Sequence, residues 1–189
     1  MTRVRMDLFV SLDGYTPSGN SADSPMGVGW EQVTRNYTAT RTFRAKIFGD
    51  TTGEGTTGLD DSYAASFFDG IGAEIMGAAM FGLHSFPDDP DWKGWWGDTP
   101  PFGTPVYVLT DSAPRPSIPM EGGTTFHFRK GAIEDVLAEA SEAAGGKDVR
   151  IGGGDPLWSE LSGLTDTHDV KVEVAETGTS HVTFTRRNA

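Results

Sequence analysis

The stretch Val149-Arg150-Ile151-Gly152-Gly153-Gly154-Asp155-Pro156 changes character twice. A short run from Asp148 to Ile151 reads as a strand. Three consecutive glycines follow, and Asp155 and Pro156 then supply an N-cap and a first helical position for a helix through Leu161. A strand that runs through glycines into a helix start presents backbone N–H groups to an anion, and only glycine lets a diphosphate come that close. Gly152, Gly153 and Gly154 therefore read either as a phosphate-binding turn or as a tight turn that holds no ligand. Asp155 weighs against the phosphate, because an N-cap carboxylate satisfies the same helix N–H groups.

Outward from this turn the chain alternates strands and helices. Upstream, Gly131 to Ala144 carries Ile133, Val136, Leu137, Ala140 and Ala144 on one stripe with Glu134, Asp135, Glu139 and Glu142 opposite, which predicts an amphipathic helix stopped by Gly145-Gly146. Pro105 to Thr110 is a continuous apolar run of the kind covered on both faces of a sheet. Thr124 to Arg129, Gly72 to Gly77 and Val4 to Leu12 read as further strands, and Trp30 to Phe48 and Asp60 or Asp61 to Phe68 as helices. Gly49 to Gly58 has no apolar residue and reads as an exposed, mobile loop. Downstream, Thr167 to Ala175 and Ser180 to Arg186 flank Thr177-Gly178 as an antiparallel hairpin. This order predicts a single α/β domain over residues 1–189, with three layers, a mainly parallel sheet and an antiparallel C-terminal hairpin.

Composition narrows the function. With 27 acidic against 15 basic residues the net charge is −12, which repels a phosphate backbone and an anionic membrane face, so nucleic acid and membrane are not expected partners. No apolar run approaches the ~20 residues of a membrane helix, and no signal peptide is visible at the N-terminus. Cysteine is absent, which removes disulfides, thiolate metal sites and a Cys nucleophile and fits a cytoplasmic protein. His84, His127, His168 and His181 show no metal-ligand spacing, so no metal site is expected. The 25 glycines stand out, and the question is which of them serve chemistry.

The series Phe9-Val10-Ser11-Leu12-Asp13-Gly14-Tyr15, Ile75-Met76-Gly77-Ala78-Ala79-Met80-Phe81-Gly82, Val106-Tyr107-Val108-Leu109-Thr110, Glu121-Gly122-Gly123-Thr124-Thr125-Phe126-His127-Phe128 and Lys147-Asp148-Val149-Arg150-Ile151-Gly152-Gly153-Gly154 resembles, in that order, the dihydrofolate-reductase-like proteins related to the reductase domain of bacterial riboflavin biosynthesis. The resemblance implies a dihydrofolate-reductase-like α-β-α fold, a homodimer, and NADPH across the carboxyl ends of the sheet. It places the diphosphate on Gly152 to Gly154 beside Asp155 and the adenosine side at Gly77, Ala78, Thr110 and Asp111. The nicotinamide and a small planar substrate would be bordered by Ser11, Asp13 and Tyr15. Such proteins usually carry Arg where Ala78 stands, and a polar or basic group rather than Asp111, whose charge repels a 2′-phosphate. The segment that usually precedes the last hairpin is also missing. NADH in place of NADPH is one outcome; a scaffold that has lost the nicotinamide, and serves as a cofactor-independent enzyme or small-molecule binding protein, is the other.

Among side chains, the Asp13 carboxylate suits a catalytic acid that orients or protonates a heteroaromatic substrate, and equally an ordinary Asp-Gly turn. Trp30 follows a long loop read from Tyr15 to Gly29, rich in Ser, Pro, Gly and Asn, and is the tryptophan best placed to line a pocket. Trp92, Trp95 and Trp96, set among Asp, Gly and Pro, read as aromatics closing a core or an interface.

Overall fold

Short apolar runs separated by glycine and polar turns take up strand and helix in alternation. The computed structural model describes residues 2–11, 16, 26–83, 89, 91–112, 114–153 and 164–187. In chain order it contains β1 (Val4–Met6), α1 (Trp30–Thr38), α2 (Arg41–Ile47), α3 (Leu59–Phe68), β2 (Ile71–Gly77), α4 (Ala78–Phe81), β3 (Pro105–Leu109), β4 (Ile118–Pro119), β5 (Thr125–Arg129), α5 (Ile133–Ala143), β6 (Asp148–Gly152), α6 (Leu164–Thr167), β7 (His168–Val174) and β8 (Ser180–Arg186). Six strands form one sheet in the order β1-β6-β2-β3-β5-β4. All run parallel except β4, which pairs antiparallel with β5 at the edge.

Alternation along the strands loads the two faces differently. Ala73, Ile75, Tyr107 and Val149 meet Val136 and Ala140 of α5 and its C-cap Ala144 on one face, along the stripe read from the sequence. On the other face Met76, Val106, Val108, Phe126 and Phe128 close around Phe81 of α4, with Trp92, Trp96 and Phe102 packed on them. Helix α3 covers the β1-β6-β2 side of that second face, where Arg150 reaches the Phe67 carbonyl and Arg5 the Ser66 carbonyl, and α1 and α2 pack on α3. The C-terminal end of α5 approaches β2 closely: a Cβ on Gly72 would run into the Ala144 carbonyl. Only glycine fits there.

Several boundaries differ from the sequence reading, each for a tertiary reason. The β1 ladder ends at Met6, opposite Ile151, because β6 itself ends one residue later. Beyond it, Phe9 leaves the ladder and sets its ring 4.8 Å from that of Tyr37. The run from Trp30 to Phe48 is two helices: Thr40 is extended, bridges to Thr56, and its hydroxyl caps α2 by accepting from the Phe43 N–H. Helix α3 starts at Leu59, with Asp60 and Asp61 in its first turn rather than at its cap. The loop from Gly49 to Gly58 is exposed as expected, yet it is also built: Asp50 accepts from the Thr52 N–H and hydroxyl and from Arg44. Those bonds hold the Asp50 carboxyl down at about 2. The helix expected from Asp155 to Leu161 lies outside the described residues.

The β7–β8 hairpin forms a sheet of its own, and the antiparallel edge of the main sheet is β4. Its polar face is turned inward. Tyr63 donates to Glu173 at 2.7 Å and stacks on His181 at 3.9 Å, while Asp60 accepts from Thr177 and lies 2.6 Å from His181 Nε2. Asn36 of α1 donates to Thr179. Outward it presents Val170, Val172, Val174 and Val182, all exposed, with Val172 directly opposite Val182. No helix among the described residues is long and apolar enough to cross a membrane.

Candidate functional site

In an open parallel sheet, ligands bind in the crevice beyond the carboxyl ends of the strands. Register brings the expected residues to that end in three adjoining lanes. Met76 pairs with Gly152 across β2 and β6, and Gly77 pairs with Leu109 across β2 and β3. Gly152 and Gly153, Gly77 and Ala78, and Thr110 and Asp111 therefore stand side by side along the top of β6, β2 and β3.

Each lane end has its own local cause. Gly153 is exposed at φ 107°, a conformation that L side chains rarely adopt, so the position that leaves β6 needs glycine for its backbone. Gly152 needs it for contact: a Cβ there would stand 3.2 Å from both Sδ and Cε of Met80, which reaches over from α4. Gly77 is extended and exposed, and a Cβ there would meet nothing within 4 Å among the described residues. Ala78 is buried at the start of α4. Thr110 is buried, donates its N–H to the Arg129 carbonyl at 2.9 Å, and accepts from the Ser112 N–H through its hydroxyl. Asp111 is exposed. Leu109, Thr110, Asp111, Gly131 and Ile133 line an open cleft of about 230 Å³.

Of the residues expected on the substrate side, Ser11 is half-buried at the exit from β1. Trp30 opens α1, half-buried on the same helical stripe as Thr34 and Tyr37. The contact of Tyr37 with Phe9 brings that helix against the β1 exit. Asp13, Tyr15, Gly154 and Asp155 lie outside the described residues. The three later tryptophans take the core role: Trp96 packs on Phe102 and Phe126, Trp92 donates its indole N–H to the Phe81 carbonyl, and Trp95 meets Trp92 edge-on. His127 pairs with Ser117 and stacks on Tyr107, and among the described residues no group of three or more possible ligands could hold a metal ion.

One polar cluster escaped the sequence reading. Glu74 and Arg150 form an ion pair at 2.6 Å with both side chains about 5% exposed. Arg150 also donates to the Phe67 carbonyl and places its guanidinium 3.6 Å above the Phe67 ring. Burial pushes the Glu74 carboxyl up, and Arg150 pulls it back. Asp7 and Tyr37 border the same cluster, and burial raises both, against the pull of Arg150. Asp7 Oδ2 and the Tyr37 hydroxyl are buried with no hydrogen-bond partner among the described residues. The signal was a single opposite charge in each of two apolar runs, GAEIMG and VRIGGG, which register then sets face to face as Glu74 and Arg150.

No family model matches the chain, and no curated protein matches it either. Among solved structures it is similar to a protein from Shewanella sp. PV-4 whose name assigns it provisionally to riboflavin biosynthesis, with 16% sequence identity, a TM-score of 0.51 and 100% of each chain covered. At that identity the likeness speaks for fold. The chain has the expected dihydrofolate-reductase-like α/β fold, with a six-stranded, mainly parallel sheet and a separate antiparallel hairpin.

Proposed function

We propose that this protein is an NAD(P)H-dependent reductase acting on a C=N or C=O bond of a small planar substrate of pterin-like or flavin-precursor-like character. The observation that carries this reading is the row of lane ends: a positive-φ glycine leaving β6, space over Gly77 that is open among the described residues, and the Thr110–Asp111 cleft, in adjoining lanes. A dinucleotide spans three neighbouring strands in this way. Gly152 at the end of β6 and the exposed Gly153 would hold the diphosphate by backbone N–H groups, Gly77 and Ala78 would leave room beside it, and the cleft would take the adenosine end. When bound, the dihydronicotinamide supplies hydride. The chain's part is to orient it against a substrate bordered by Ser11, Asp13, Tyr15 and Trp30, with Asp13 as the proton donor.

Asp111 on the rim of that cleft, with Ala78 supplying no cation, favours NADH over NADPH. The same two residues support a second reading, a binding protein or cofactor-independent enzyme on a scaffold that has lost the nicotinamide. Titration with NADH and NADPH, followed by energy transfer from tryptophan to the dihydronicotinamide, separates the two. The expected result is saturable binding with NADH the tighter, and its loss in Gly153→Asp with the far-ultraviolet spectrum unchanged. No saturable signal from either nucleotide at millimolar concentration would sink the reductase. Assembly as a homodimer through the outer face of the hairpin completes the proposal.

A further inference from the structure

The geometry points to Met80 as the side chain that decides what the glycine crevice admits, an inference that rests on the dinucleotide reading above. Met80 belongs to the single-turn helix at the end of β2, between exposed Ala79 and fully buried Phe81. It is half-buried, and its thioether crosses from the β2 lane to the β6 lane. Sδ and Cε lie 3.2 Å from the position a Gly152 Cβ would take, and Sδ lies 3.9 Å from that of Gly153. The end of Met80 therefore lies against the two glycines over which a diphosphate would have to settle.

The surroundings decide whether this is a wall or a gate. Methionine has three rotatable bonds beyond Cα and adapts its shape at low cost, and among the described residues the neighbouring position over Gly77 is open, with nothing within 4 Å of a Cβ there. Ala78 and Ala79, the two residues before it, are too short to span the lanes. Met80 alone on this helix closes the approach to Gly152, and it has somewhere to go. A ligand that settles on Gly152 must first displace the thioether and lose its contact with the cluster around Met76 and Phe81; one that needs only the Thr110–Asp111 cleft need not. Met80 thus sets a threshold that selects against a dinucleotide held weakly at its diphosphate.

The test is NADH titration of the wild-type chain, Met80→Leu and Met80→Ala, read by tryptophan energy transfer. Leucine keeps the packing on Phe81 but lacks the terminal methyl that covers Gly152, so Met80→Leu remains informative if the alanine variant folds poorly. Both variants are expected to bind NADH at least roughly threefold more tightly than wild type, while AMP, which needs only the cleft, binds all three alike. Unchanged or weaker NADH binding in both variants, with wild type still saturable, overturns the gate and leaves the reductase standing. No NADH binding by any of the three overturns both.

Discussion

Glu74 and Arg150 show how a pair of single residues can organise a sheet. Each sits in a run otherwise fit for full burial, and the β2–β6 register makes them partners. Their burial leaves Asp7 in the same cluster as a third ionisable group, one whose carboxyl is raised by desolvation more than Arg5 and Arg150 can offset. The sign of its effect follows. A carboxyl that binds its proton more tightly when folded contributes stability in full below its unfolded value near 3.8, and that contribution is lost as pH rises through the elevated folded value. Thermal melts of wild type and Asp7→Asn across pH 4 to 8 should therefore differ in slope, with the wild type losing stability over the window and the variant flatter. Parallel curves would mean that Asp7 ionises normally. Such a cluster is legible in sequence only as two charges out of place; which neighbours they find depends on lanes that no local pattern specifies.

At the level of elements, the hairpin carries the clearest departure from ordinary patterning. A sheet with one solvated face normally turns its apolar side to the core. Here β7 and β8 place Glu173, His181 and Thr183 against Tyr63 and Asp60 and leave Val170, Val172, Val174 and Val182 outside, Val174 at 67% exposure. Two chains of net charge −12 repel each other over most of their surface, so the uncharged centre of this face is where two copies can meet. Val172→Lys should shift the species seen by light scattering from dimer to monomer without lowering the melting temperature of the monomer. A wild type already monomeric at tens of micromolar would refute the arrangement. The hairpin, α5, β3 and β5 were readable from alternation, helical stripe and turn residues, because local and global demands agree there. The break between α1 and α2 was not, since Thr40 is pulled into an extended conformation by Thr56, 16 positions away in the chain and on the far side of a loop.

For the molecule as a whole, charge and fold act on the same ligand. Backbone N–H groups of the segments that leave the strand ends would attract an anionic cofactor at contact range, while the net charge of −12 would repel it at longer range. Salt separates the two, because the ~10 Å screening length near 0.1 M leaves direct contacts intact and removes most of the long-range term. The ratio of NADPH to NADH affinity should therefore rise as sodium chloride goes from 10 to 300 mM, the extra phosphate having suffered the greater repulsion. A ratio independent of salt would confine the discrimination to contacts at Asp111. The fold was legible from the order of its short segments, and so were the lane ends. What lay hidden was side-chain traffic between lanes, such as Met80 over Gly152, which a linear chain does not display.

The position of β6 in the sheet has a consequence in time. It lies between β1 and β2, so residues 148–152 separate two strands made long before them. While the chain leaves the ribosome, residues 4–6 and 71–77 have no direct partner in one another, and the middle of the sheet stays open until Gly152 emerges. Pairing at such sequence separation is slow to form. Nascent chains that stall before that point leave the inner edges of β1 and β2 unpaired, and the crevice that would bind a nucleotide is among the last features of the molecule to exist.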